Sequence, residues 1–582
     1  MATLNLLKSA QSLSDLALLL DFTPSGLSYT LYKTPTVTKY ITFEIPKKSG
    51  GTRLIRAPQG ALKFLQHNLA NLLYDCRAEL QAEKPRRQIS HGFRRKQSIF
   101  SNARGHKNRR YVLNLDILDF FPTFNFGRVR GFFIKDKEYA VPEKVATVIA
   151  QIACHENSLP QGSPCSPIIA DMIAHILDVR LVQLAKAHKT TYSRYADDLT
   201  FSTNQKAFPE ELAAREDGAG SEWKLGKALV SAIEGSGFAI NPSKTRMQVR
   251  TSRQIVTGLT VNTKVNIPQD YYRSARSMCN ALFQTGLYHR RVSTSVGGQG
   301  DGASASAFEM IEELGQLEGV LSHIYHIKSL TDQRDKAEKK AKPTPSHKLY
   351  AKFLFYRYFV DPTKPLIVCE GKTDNIYLRN AIRRLQQFHP MLGSMTSEGF
   401  TTVVGFFSYN NKAHQVIELT GGSGNLNGFV NRYGARMKSY KHRPLEYPII
   451  ILIDNDSGAK NIFSDLQKWF NITCSLTSND LFYHVIDNLY LIKTPEGPGD
   501  GTSCIESFFD AQLKATVVDG KTFNPENNYN AATEYGKAVF ADKVVAPNAD
   551  RINWTPFAPL LERIASVTAD YKAPAMSTAK AA

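Results

Sequence analysis

The chain has 582 residues, 42% of them hydrophobic, and a formal net charge of +19. That length exceeds what one hydrophobic core serves, so two or more domains are expected, and the apolar fraction argues against global disorder. No apolar run reaches the roughly 18–20 residues of a membrane span, and seven cysteines without a CxxC pair speak against a zinc site or a secreted disulfide framework. The charge is one-sided: residues 1–350 hold 48 Lys and Arg against 31 Asp and Glu, while 351–582 hold 24 against 22. A basic surface confined to one part of a molecule is the electrostatic footprint of a polyanion partner. The N-terminus has the spacing of an amphipathic helix rather than a signal peptide. A soluble, reduced, cytoplasmic protein without a membrane partner is expected.

Residues 1–35 read as helical, and 40–58 as two strands around a Lys-Ser-Gly-Gly turn. A helical period follows over 61–82, then a short buried strand at 111–116 and a helix over 165–187. Residues 190–203 (TTYSRYADDLTFST) read as a β-hairpin with an acidic pair at its tip, and a further strand is expected near 246–263. Residues 292–307 are a Gly/Ser-rich, mobile loop of low complexity, ahead of a helix at 308–330. A charged stretch at 331–348, or the DPTKP segment at 361–365, marks the expected boundary. Beyond it, PLIVCEGKTD and YPIIILIDNDSG are apolar strands ending in acids, with a helical run after the first. Strand, helix and strand with carboxylates at strand ends predict an α/β parallel sheet.

Phosphoryl transfer from a nucleoside triphosphate relies on two Mg²⁺ ions about 3.5–4 Å apart, and Mg²⁺ prefers carboxylate oxygens. NLDILDFF offers Asp116 at a strand end, and YADD offers Asp197 and Asp198 at a hairpin tip. With LPQGSPCSP between them, residues 40–262 resemble a reverse transcriptase, and within that group a retron reverse transcriptase. The resemblance implies an α+β right-hand polymerase with a helical segment at 1–40, fingers and palm over 41–265, and a thumb over 266–345. It implies that Lys47 and Arg53 of IPKKSGGTRLIRAP grip the incoming deoxynucleoside triphosphate, and that Gln161 and Gly162 pack under template and nucleotide. Phe121 is the implied steric gate against a 2′-hydroxyl, although Phe120 fits a core aromatic equally well. Lys244 of GFAINPSKTR could protonate the leaving pyrophosphate or serve as a phosphate or solvent contact.

Two further signatures are similar to those of retrons. SHGFRRKQSIFSNARGH ends in NAxxH (Asn102, Ala103, His106), and SRQIVTGLTVN contains VTG (Val256, Thr257, Gly258). Asn102, His106, Thr257 and Gly258 become candidates for RNA binding, with a structural histidine and a glycine bulge as the alternatives. The family resemblance implies a cognate structured noncoding RNA (msr-msd) as partner and template. It also implies DNA synthesis primed from a guanosine 2′-hydroxyl, giving a multicopy single-stranded DNA attached through a 2′–5′ bond. Self-association is left open.

After a linker at 346–364, residues 365–582 hold VCEGKTD and ILIDNDSG, which resemble the Toprim domain of primases, topoisomerases and related nucleases. The resemblance implies that Glu370, Asp454 and Asp456 bind one or two Mg²⁺, with Asp374, Glu506 and Lys537 as accessory residues. LTGGSGN supplies small residues where backbone could approach a phosphate. A nuclease effector in phage defence and a non-catalytic binding or regulatory module are both compatible with this pattern.

Overall fold

A computed structural model describes residues 3–47, 51–85, 87–215, 223–293, 306–397, 399–409, 413–497, 501–526 and 528–572. Two compact units emerge. One comprises Met1–Tyr272 with Ser293–Ala305 and Ile327–Gln333; the other comprises Arg273–Val292 with Ser306–His326 and Arg334–Ala582. The segment 266–345 is divided between the two units. Among the described residues no helix is long and apolar enough to cross a membrane.

In the first unit, strands Tyr40–Pro46 and Thr52–Pro58 form an antiparallel hairpin, followed by the helix Gly60–Glu83. A mixed-order sheet sits at the centre, with Tyr111–Leu118 paired to Asp198–Thr203 on one side and to Ala239–Ile240 and Arg246–Val249 on the other. Thr191–Tyr195 completes the edge beyond Asp198–Thr203. Helix Ser166–Ala187 buries Ile168, Ile169, Met172, Ile173, Leu177 and Leu181 in the same core as Leu113, Leu115 and Phe201. A helix with so many buried apolar positions gains its stability from packing rather than from local propensity. The N-terminal helices join this core through Leu4, Leu7, Leu16 and Leu20, and Glu79 accepts the Thr3 and Leu4 amides.

The expected strand near 246–263 is broken: Arg246–Val249 is followed by a separate hairpin, Ile255–Val256 with Leu259–Thr260. The expected helix at 308–330 begins later, at Leu314, because Ser306–Ile311 is a strand paired with Tyr288–Ser293. Most of the Gly/Ser-rich loop lies outside the described residues. The charged stretch at 331–348 includes the helix Lys336–Ala341, capped by the Asp335 side chain.

In the second unit, Gly405–Phe406, Leu366–Cys369, Ile449–Ile453 and Leu489–Lys493 run parallel in that order, and Tyr483–Ile486 closes the edge antiparallel. Every residue of the strands LIVC, IIILI and LYLIK is buried. Continuous apolar strands are what a parallel sheet covered on both faces requires. Helices Asp374–Arg384 and Ala558–Asp570 contribute Tyr377, Leu378, Leu561 and Ile564 to its core.

Candidate active site and a second acidic cluster

The hairpin tip is a two-residue turn. Tyr195 and Asp198 pair, leaving Ala196 and Asp197 between the strands. Ala196 has φ +56°, a left-handed conformation that costs a non-glycine residue about 1–2 kcal/mol. Its surroundings hold it there. The Arg194 guanidinium donates to the Ala196 carbonyl at 3.2 Å, and Gly92 lies so close that a Cβ on it would be 2.4 Å from the Ala196 nitrogen. Asp116 stands directly opposite Asp198 in the antiparallel register, which sets their Cα atoms about 4.5–5.5 Å apart. The Ile117 amide donates to the Asp197 carbonyl at 3.0 Å. All three aspartates thus meet at one end of the sheet.

Crowding marks their electrostatics. Burial, then Asp197 and Asp116, push the Asp198 carboxyl up to about 7. Burial and Asp116 raise Asp197 as well. Lys244 donates to one Asp116 oxygen at 2.9 Å and Asn241 to the other at 3.1 Å. Among the described residues no group of three or more His, Cys, Asp or Glu stands in an arrangement that would hold a metal ion. The carboxylates are brought together, but Asp116 is satisfied by a cation and an amide from the protein itself.

Of the expected nucleotide contacts, Lys47 and Arg53 are exposed on the hairpin, and Arg53 is close enough to lower the Asp197 pKa. The Gln161 carbonyl accepts the Arg56 amide at 2.7 Å. Gly162 has φ +117°, and a Cβ there would lie 2.8 Å from the Arg56 carbonyl, so this loop packs on the base of the hairpin. The two phenylalanines separate cleanly. Phe120 is buried against Phe124 and Phe238, whereas Phe121 is half-buried with its ring 5.9 Å from Phe93.

Asn102 and His106 are fully buried. This corrects the expectation that they touch RNA: the His106 ring bonds to Ser193 and Ser202, and Asn102 Oδ1 accepts from Ser193. Thr257 has φ +46° and donates to the Ile99 carbonyl at 3.2 Å, while Gly258 is exposed with φ +81°. Sequence reasoning passed over Asn241, Arg194 and Gly92. Each lies within a segment already singled out, but none carries a signal of its own.

Arg194 is wholly buried and bonds to both oxygens of Asp178 and to Asp171, which also receives Arg77, Arg94 and Ser90. Burial opposes ionisation of Asp171, but the guanidiniums of Arg194, Arg77 and Arg94 outweigh it and hold the carboxyl below its ordinary range.

In the second unit, Glu370 and Asp454 follow neighbouring parallel strands. Glu370 accepts the Ser423 amide at 3.1 Å and the Asp454 amide at 3.3 Å, and Asp454 accepts the Ile505 amide at 3.0 Å. Asp374, buried, accepts the Gly371 amide at 2.8 Å, and a Cβ on Gly371 would come within 2.6 Å of its carboxylate. Glu506 is buried and paired with Lys537 at 3.0 Å, while its other oxygen has no hydrogen-bond partner among the described residues. Burial, reinforced by Asp374, Glu506 and Glu370, pushes Asp454 up to about 8; burial and Glu506 push Asp374 up to about 6. Asp456 instead bonds the Gly458 amide at 2.7 Å as a helix cap. The LTGGSGN glycines wrap Glu370, with the Gly422 amide on its carbonyl at 3.0 Å.

A family model described as reverse transcriptase (RNA-dependent DNA polymerase) matches residues 45–266, ending before the parallel sheet of the second unit. Retron Mx65 reverse transcriptase of Myxococcus xanthus is 35% identical over 260 residues, 42% of this chain and 56% of the relative. Retron Ec86 reverse transcriptase of Escherichia coli is 32% identical over 249 residues, 42% of this chain and 70% of the relative. The chain thus spans little more than half the length of the Myxococcus xanthus protein. Among solved structures, apo telomerase from Candida tropicalis aligns over 43% of this chain and 51% of that chain at 16% identity, with a TM-score of 0.29, a likeness too slight to define the fold. The matched span encloses the three aspartates and both signatures, and the chain belongs to the retron family of reverse transcriptases.

Proposed function

We propose that the first unit is an RNA-directed DNA polymerase that copies its cognate structured RNA into single-stranded DNA, primed from a 2′-hydroxyl of that RNA. The observation that carries this reading is Asp116 opposite Asp198, beside the Ala196–Asp197 turn. The chemistry of the donor set suits Mg²⁺ once Lys244 leaves Asp116: burial, then Asp197 and Asp116, raise Asp198 to about 7, and a divalent cation would offset that cost. When bound, a pair of such ions would activate the attacking hydroxyl and stabilise the departing pyrophosphate. Asp116, Asp197 and Asp198 would hold them. Arg53 and Lys47 would bind the triphosphate, Phe121 would press on the sugar, and Lys244 would leave Asp116 to meet the pyrophosphate. Asp197→Asn with Asp198→Asn should abolish cDNA synthesis and leave RNA binding intact; undiminished synthesis would refute the site.

For the second unit we propose a Toprim-like centre that cleaves phosphodiesters with one or two Mg²⁺ among Glu370, Asp454 and Asp456, as an effector in phage defence in the cytoplasm. Glu370 and Asp454 on adjacent strand ends support it. A second reading, a non-catalytic regulatory module, is favoured by the Lys537 ammonium that neutralises Glu506 and by the capping role of Asp456. Mg²⁺-dependent nicking by the full chain that disappears in Glu370→Gln supports cleavage. Nicking retained in that variant, or missing from the RNA–DNA-loaded protein and from the protein stripped of nucleic acid, supports the module.

A further inference from the structure

His106 lies beneath the acidic hairpin and touches both of its strands. Its Nε2 is 2.7 Å from Ser193 Oγ, and its Nδ1 is 2.7 Å from Ser202 Oγ. Ser193 is four residues before Asp197, and Ser202 is four residues after Asp198. Side chains on a strand alternate between faces. Ser202, Thr200 and Asp198 therefore share one face, the face on which Asp116 stands opposite Asp198.

With Asn102 Oδ1 as the acceptor from Ser193, one proton order follows. Ser193 Oγ donates to Asn102 Oδ1, so it has no proton left for His106 and must accept from Nε2–H. Nδ1 is then the acceptor and takes the Ser202 hydroxyl proton. The ring is a neutral Nε2–H imidazole, in agreement with burial that pushes its pKa down to about 3. Asn102 lies on the short helix Ile99–Arg104, whose Ile99 carbonyl is bonded by Thr257. The strand carrying Asp116 is tied to the Ile255–Thr260 hairpin that holds Thr257 by Asn114 Nδ2 on the Ile255 carbonyl at 2.7 Å.

We propose that His106 is a positioning residue of the polymerase site, a neutral clip across the two hairpin strands that sets where Asp197 and Asp198 stand relative to Asp116. It touches neither nucleotide nor metal-binding carboxylate. This rests on the polymerase reading. A carboxylate pair displaced by a fraction of an ångström would still fold, but would bind its cations in a poorer geometry.

The test measures dTTP incorporation on poly(rA)·oligo(dT) by the full chain, with Mg²⁺ titrated, for His106→Ala, His106→Gln, Ser202→Ala and Asp198→Asn. His106→Ala should raise the Mg²⁺ concentration for half-maximal rate about 10-fold or more and lower kcat by about 10- to 100-fold, the range for lost support of a metal-binding group, with KM for dTTP little changed. His106→Gln, whose amide also has one donor and one acceptor end, should recover most of that loss. Ser202→Ala, which removes one bond of the clip, should shift the Mg²⁺ midpoint in the same direction by a smaller factor. An unshifted midpoint in folded His106→Ala overturns the proposal, and if that variant does not fold, an unshifted midpoint in Ser202→Ala does so. Full activity in Asp198→Asn would instead remove the polymerase reading on which the proposal stands.

Discussion

Replacing Arg194 with leucine removes the buried cation that ties the acidic turn to helix Ser166–Ala187. Arg194 is 0% exposed and makes four bonds: two to Asp178 at 2.8 and 2.9 Å, one to Asp171 at 2.8 Å and one to the Ala196 carbonyl at 3.2 Å. Asp171 would keep Arg77, Arg94 and Ser90, but among the described residues Asp178 would retain only the Tyr192 hydroxyl at 2.8 Å. Breaking a buried ion pair from one side costs about 3–5 kcal/mol, against a total domain stability of about 5–15 kcal/mol. Urea denaturation of the full chain, followed by tryptophan fluorescence and by circular dichroism, reads this as a lower midpoint for the first unit. The sign with pH follows from Asp171. Its folded carboxyl is held below the ordinary range, in part by Arg194, so the stabilisation is present above pH about 4 and is lost as pH falls below it. Removing Arg194 weakens that depression, so the gap between native and variant proteins should be largest near neutrality and should narrow in acid. A midpoint within error of the native one at pH 7 would refute the reasoning, since no buried carboxylate would then depend on Arg194.

His106 predicts a second pH signature of the same sign, beginning at higher pH. Its folded pKa of about 3 lies below the ordinary 6.5, so unfolding takes up a proton as pH falls through 6.5. Stability contributed by this group should therefore be complete above pH about 6.5 and decline by about 1.4 kcal/mol per pH unit toward pH 3, and His106→Gln should flatten that part of the profile in equilibrium denaturation. Phe121→Ala should admit ribonucleotides at unchanged fold stability, read by rNTP against dNTP incorporation, whereas Phe120→Ala should cost about 3–5 kcal/mol of stability because it empties a packed core position. RNA affinity, measured by filter binding, should fall roughly 10³-fold between about 50 and 200 mM salt if six or more phosphates are engaged; a flat profile would contradict the basic character of residues 1–350.

What the amino-acid order determined without help was local. The acidic pair sits at a hairpin tip because two alternating strands flank it, and the apolar runs LIVC and IIILI, each ending in acids, read as strands of a parallel sheet. The choice between Phe120 and Phe121 was not local: adjacent residues have equal claims until the core around Phe124 and Phe238 takes one ring and leaves the other half-exposed. Nor could sequence reveal that Asn241 shares Asp116 with Lys244, that Gly92 is pressed on the turn, or that NAxxH clips two strands from beneath. The Ser306–Ile311 strand, where a loop to 307 and a helix from 308 were expected, owes its form to the pairing with Tyr288–Ser293. Side-chain periodicity records which face of an element is buried, but not which distant group fills the space against that face. Hydrogen bonds and ion pairs between segments tens to more than a hundred residues apart exist only once the chain has folded, and those are the contacts that decide how the carboxylates are held.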